Sequence, residues 1–143
     1  MNSIYNLKYE LALRILILLS LTDEPKTIDT ISALDLIITY GSSFNLTDHN
    51  LHGENPYFLS ELSSRRNIIS EAITYLVRNS LVKLVSSTNG LSYKINQNGL
   101  SVISSTTSTY SHEYKKSAEI VLSATKGFSD TKIIGMILNH KRK

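Results

Sequence analysis

From Leu11 to Leu21 almost every residue is aliphatic, and a single charge, Arg14, sits among them. Leu7, Leu11, Ile15, Leu18 and Leu19 recur at helical spacing, while Leu13, Leu16 and Ile17 carry the apolar surface nearly the whole way round. A bilayer takes about 20 consecutive apolar residues, more than this run supplies. The helix is therefore expected at the centre of a protein core, wrapped by the rest of the chain. The 143 residues, 41% hydrophobic and 19% charged, suffice for one such core and are far from the composition of a disordered chain. Glu10 precedes the run and no small-residue cleavage site follows it, so neither a signal peptide nor a membrane partner is expected, and the expected location is cytoplasmic.

After a break at residues 22–27 that holds an acid pair and Pro25, Ile28, Ile31, Leu34, Ile37 and Ile38 define a second helix, which Gly41 is placed to end. From Gly41 to Ser60 the periodicity dissolves into Gly, Ser, Asn, Asp, His and Pro, which predicts a long irregular loop and a candidate contact surface. A third helix is predicted from Ser63 or Ser64, either of which can cap its free amides. It turns Ile69, Ala72, Ile73, Leu76 and Val77 inward and Arg66, Asn67, Ser70, Glu71, Thr74 and Arg78 outward.

Beyond Asn79 the period changes from helical to alternating. Leu81-Val82-Lys83-Leu84-Val85 and Leu91-Ser92-Tyr93-Lys94-Ile95 flank a turn containing Asn89-Gly90, the pattern of a β-hairpin, which Asn96 to Gly99 closes. From Leu100 the hydroxyl-rich stretch to Thr109 predicts a weak helix. Ala118, Ile120, Val121 and Leu122 mark a further helix ended by Gly127. Ser129 or Asp130 caps a last one with Ile133, Ile134, Met136, Ile137 and Leu138.

The order is three helices, a hairpin and more helices, so the expected class is mainly α with a small β-hairpin. A hairpin directly after the third helix is the order of a winged helix-turn-helix module. Residues 1–98 are expected to form that winged-helix-like domain, and residues 99–143 a helical extension packed on the same core. The connection from Gly41 to Ser60 departs from the roughly three- or four-residue turn of a standard DNA-reading module.

No cysteine is present, which excludes disulfides, thiolate metal sites and thiol nucleophiles. His49 and His52 near Asp48 and Glu54 match no closed metal-site spacing, and a polar loop accounts for them. No serine lies in a nucleophile elbow and no glycine-rich phosphate loop occurs, so no catalytic residue, cofactor, metal or small-molecule substrate is expected.

The remaining candidates are contact residues. Arg65 and Arg66 carry guanidinium forks suited to phosphate or an acidic partner, with Asn67, Arg78 and the hairpin residues Lys83 and Lys94 beside them. Against this stands a structural role in which Arg65 or Arg66 pairs with Glu61 or with Asp35, a carboxylate lodged among Ile31, Leu34, Leu36 and Ile38 that needs a partner. Tyr110 and Tyr114 share a helical face and are expected as exposed interface anchors. Residues 1–64 carry three bases against eight acids, a net −5, whereas residues 65–143 carry twelve bases against four acids, a net +8. Such polarity steers acidic or phosphate-bearing partners. The closing Lys141-Arg142-Lys143 is expected as a solubilising end.

Taken in order, Glu10-Leu11-Ala12-Leu13-Arg14-Ile15-Leu16, Ala33-Leu34-Asp35-Leu36 leading to Tyr40, Glu61-Leu62 before Arg65-Arg66, Leu81-Val82 and Tyr93 span residues 10–95. In this order and spacing the chain resembles the middle component of ABC three-component systems, the group that includes the accessory subunit of Lamassu-type antiphage and antiplasmid defence operons. The resemblance implies a non-catalytic bridging subunit between an SMC-like ATPase, which senses or holds DNA ends, and an effector, often a nuclease. DNA is then contacted, if at all, through the complex. The other function open to such a fold is a winged-helix DNA-binding transcriptional regulator.

Overall fold

A computed structural model describes residues 3–52, 57–88 and 90–140. Among them the chain forms α1 (Ser3–Ser20), α2 (Ile28–Thr39), α3 (Phe58–Arg78), the hairpin β1 (Val82–Ser87) and β2 (Gly90–Ile95), then α4 (Gln97–Ser104), α5 (Thr109–Ala124) and α6 (Asp130–Leu138). The mainly helical class with one antiparallel hairpin is as the periodicities require.

The apolar run of α1 is enclosed as expected, with Leu11, Ala12 and Ile15 to Leu19 all buried. It shares the centre with α2, which is buried at every position from Thr30 to Thr39. Thr27 caps α2 by accepting from the Thr30 amide at 3.2 Å. The α2 helix packs against α1, α3, α5 and α6, and α1 in turn meets α3, α4 and α5. One continuous core results, reaching from Leu11 through Ile69 and Tyr114 to Ile137.

The start of α3 differs from expectation. It lies at Phe58, not at Ser63 or Ser64, and the preceding Tyr57 makes no side-chain cap bond. Tertiary packing overrides the serine signal: the buried Phe58 ring sits 5.1 Å from Phe44 and 4.9 Å from His140. The region after α2 is also more ordered than its composition implies. Residues Gly41–Phe44 form a 3₁₀ turn ended by Asn45 in the left-handed region, and Asn50 Oδ1 accepts from the amides of Ser42 and Ser43.

In the hairpin, Val82 pairs with Ile95 and Ser87 with Gly90, so Thr88 and Asn89 alone connect the strands; Asn89 lies outside the described residues. Gly90 has φ +106°, which a side chain rarely adopts. On the free edge of β2, Lys26 and Tyr93 exchange backbone hydrogen bonds of 3.0 and 2.8 Å, so the segment between α1 and α2 adds a one-residue third rung.

Gly99 does not close the hairpin but lies inside α4, which begins at Gln97 and is capped by Asn96 accepting from the Gly99 amide at 2.9 Å. A Cβ at Gly99 would strike the Leu81 carbonyl oxygen and come within 2.6 Å of Ile95 Cγ1. Gly99→Ala is therefore expected to cost about 1–3 kcal/mol through overpacking, read as a lower urea midpoint. An unchanged midpoint would mean that the hairpin base yields freely.

The hydroxyl-rich stretch separates two helices. Ser108 caps α5 by accepting from the Ser111 amide at 3.1 Å, and α5 takes in both Tyr110 and the Ala118–Leu122 segment. Ser129 caps α6 by accepting from Lys132 at 3.1 Å. No helix among the described residues is long and apolar enough to cross a membrane.

Candidate functional site

Two charges sit alone inside the two most apolar helices, Arg14 in α1 and Asp35 in α2, and the helix packing brings them together. Arg14 grips the carboxylate with both prongs, Nε donating to Oδ1 at 3.0 Å and Nη2 to Oδ2 at 2.7 Å. A parallel fork of this kind is the strongest geometry available to a guanidinium and a carboxylate. From α3, Arg65 Nη1 donates to the same Oδ2 at 3.2 Å and to Thr39 Oγ1 at 2.7 Å, and its Nη2 donates to Glu61 Oε2 at 2.8 Å. From α5, the Tyr114 hydroxyl donates to Asp35 Oδ1 at 2.7 Å. One carboxylate thus ties four helices.

The balance of charge explains the outer shell. Asp35 alone faces two buried guanidiniums, and the deficit is met at the rim by Glu61 on Arg65 and by Glu10, whose Oε1 lies 3.4 Å from Arg14 Nη1. Aromatic faces line the rest: Arg65 lies 5.5 Å from the Tyr40 ring centre and Arg14 5.9 Å from that of Tyr114. No buried side-chain donor or acceptor among the described residues lacks a partner.

Burial alone would raise the Asp35 pKa, but Arg14 and Arg65, with the hydrogen bonds from Arg14 and Tyr114, outweigh it and hold the carboxyl at about 2. Burial and the adjacent Asp35 push the Tyr114 hydroxyl well above its ordinary value. A carboxylate so held, bonded on both oxygens, is a poor general base. What the cluster does well is fix four helices in one arrangement.

The segment after α2 is fastened to this centre from outside. His52 Nε2 lies 2.8 Å from the Tyr110 hydroxyl, and its ring stacks over that of Tyr110 at 6.2 Å and meets Tyr40 edge-on at 6.3 Å. Burial, with Arg14 and Arg65 nearby, lowers the His52 pKa to about 4, and burial raises Tyr110 to about 12.

The contact residues expected from sequence divide sharply. Arg66, Asn67 and Arg78 are exposed on α3, and Lys83 and Lys94 are exposed and directly opposite one another in the hairpin. Arg66 is engaged with Asp29 at the surface. Arg65 is buried in the four-helix cluster. Tyr114 is 0% exposed and Tyr110 half-buried, so the expectation of this pair as an exposed anchor is corrected. Their shared helical face is the inner one, because the Tyr114 hydroxyl finds its partner in the core.

Of the loop carboxylates and histidines, Glu54 lies outside the described residues, as do Lys141, Arg142 and Lys143. Among the described residues no group of three histidines and carboxylates is placed to hold a metal. Arg14, Thr39 and His52 are the participants that sequence reasoning missed. Arg14 and Asp35 did carry a signal, since opposite charges each enclosed by aliphatic neighbours can lower their burial cost only by meeting.

The site is thus an internal ion cluster that locks a helical core, while the hairpin lysines and the outer side of α3 stand in solvent. Over residues 4–143 the chain matches the family of ABC-three component (ABC-3C) system Middle Component 2, and it belongs to that family. No curated protein and no solved structure matches the chain.

Proposed function

We propose that the chain is the non-catalytic bridging subunit of a bacterial defence complex of Lamassu type, joining an SMC-like ATPase to a nuclease-type effector in the cytoplasm. Membership of the middle-component family across nearly the whole chain is the observation that carries this reading. The rigid centre supports it: a tether must hold two faces in fixed relation, and a carboxylate bonded from three other helices resists their sliding. The candidate faces are the outer side of α3, with Arg66, Asn67 and Arg78, and the hairpin with Lys83 and Lys94. Residues 1–98 then act as the winged-helix-like part and residues 99–143 as a helical extension of the same body.

Co-expression with the components encoded beside it tests the bridge. The chain is expected to co-purify with the ATPase in the absence of the effector and with the effector in the absence of the ATPase. Capture of neither contradicts the proposal.

A second reading is favoured by one observation. The rung at Lys26 on the edge of β2 and the hairpin directly after α3 are compatible with a winged helix, which suits a DNA-binding regulator. That reading requires tight duplex binding whose affinity falls steeply with salt, because each phosphate contact releases counterions. Under the bridging reading the isolated chain binds duplex DNA weakly at physiological salt, and alanine at Arg66, Arg78, Lys83 and Lys94 leaves partner capture unequal to wild type while folding is kept.

A further inference from the structure

The start of α3 and the end of α6 enclose a groove of about 470 Å³ lined by Tyr57, Leu59, Ile137, Leu138 and His140. A second hollow, about 630 Å³, opens on the other side of Leu138 and is lined by Ile134, Met136 and Lys132. Three large apolar side chains stand out here: Tyr57 is 64% exposed, Leu59 60% and Leu138 54%. Single exposed apolar residues are ordinary, but several gathered round a concave surface mark a place where another surface sits. The floor is well packed, because Phe44, Phe58 and His140 meet in tilted and edge-on contacts with ring centres 4.8 to 5.1 Å apart and Ile137 belongs to the core.

The charge is one-sided. Among the described residues no carboxylate lines either hollow, whereas Lys132 lines one and its ammonium lies 3.9 Å from the Phe128 ring centre. Among the described residues from Lys126 to His140, Lys126 and Lys132 stand against Asp130 alone. An occupant that satisfies both features offers large apolar side chains to the hollows on either side of Leu138 and carboxylates towards Lys132.

We infer that this double hollow is the docking site for a short segment of one partner protein, a segment that pairs two or more large apolar side chains with acidic residues. The inference rests on the bridging reading and adds which end of the molecule receives one of the two partners. It separates that contact from the outer side of α3 and the hairpin, leaving those for the other.

Two variants test it, both at exposed positions. Leu59→Asp with Leu138→Asp places like-charged carboxylates in the hollows, and Lys132→Glu reverses the charge at the rim. Circular dichroism melting checks that each is folded, and affinity is measured for the purified ATPase and the purified effector separately. The double variant is expected to weaken one of the two by about a hundredfold or more, as loss of central apolar anchors does, and to leave the other within about threefold. Lys132→Glu is expected to weaken the same partner by about tenfold, through slower association that high salt masks. Wild-type binding to neither component overturns the bridging reading and this inference together. Undiminished binding of both partners by the variants overturns the docking site alone. A wild-type dimer that the double variant abolishes assigns the hollows to a second copy, and duplex DNA binding lost only in Lys132→Glu assigns the rim to phosphate; either result overturns the acidic partner segment.

Discussion

Asp35→Ala is expected to cost about 3–5 kcal/mol of folding stability, a large share of what a small domain possesses. Among the described residues the carboxylate is the one fully buried acid in the cluster, so its removal leaves the buried Arg14 and Arg65 guanidiniums facing the rim carboxylates Glu10 and Glu61. It also strands the buried Tyr114 hydroxyl, which donates to Asp35 Oδ1. Urea unfolding at neutral pH measures the loss. The fourfold change Arg14→Met, Asp35→Leu, Arg65→Met and Tyr114→Phe removes the buried charges together with the hydroxyl that would be stranded, and is expected to return most of the lost stability, because an apolar replacement of similar volume avoids the desolvation cost. A midpoint for Asp35→Ala close to wild type would mean that water reaches the cluster.

The second large effect is loss of stability in acid, arriving in two steps. His52 titrates at about 4 in the folded chain against an ordinary 6.5, so between these values the unfolded chain binds a proton that the folded chain refuses. Its contribution is complete above pH 6.5 and is lost as pH falls to 4, roughly 1–2 kcal/mol once solvent screening of a half-buried ring is allowed for. The groups facing it from the neighbouring elements are Tyr110, Tyr40, Arg14, Arg65, Asp35 and Glu61. Asp35 titrates at about 2 against 3.8, so its contribution holds above pH 3.8 and disappears as pH drops through 2, roughly another 2 kcal/mol. His52→Gln is expected to flatten the first step and leave the second. Parallel profiles for His52→Gln and wild type would show that the histidine is solvated when folded.

Much of the architecture was legible because burial is periodic. The all-round apolar character of α1, the stripe of α3 and the switch to alternation at the hairpin each follow from which faces must be dry. Element ends were less legible. At Phe58 a contact with Phe44 and His140, distant in sequence, decides where α3 begins, and at Gly99 a close approach to Leu81 decides where the glycine must fall. Of the candidate site, Asp35 and Arg65 were marked as a pairing, yet Arg14 read as a mere interruption and Tyr114 as an outward anchor. The reason is common to both. Side-chain partners lie on other helices, and one sequence shows the need for a partner without showing its address.

Bridging is tested most directly by weighing what forms in solution. Light scattering during gel filtration gives the mass of a mixture of the ATPase, the effector and this chain, and of the same mixture with the chain omitted. One particle containing all three, with the ATPase and the effector eluting separately when the chain is left out, is the expected result. An ATPase–effector particle of undiminished yield without the chain would contradict it.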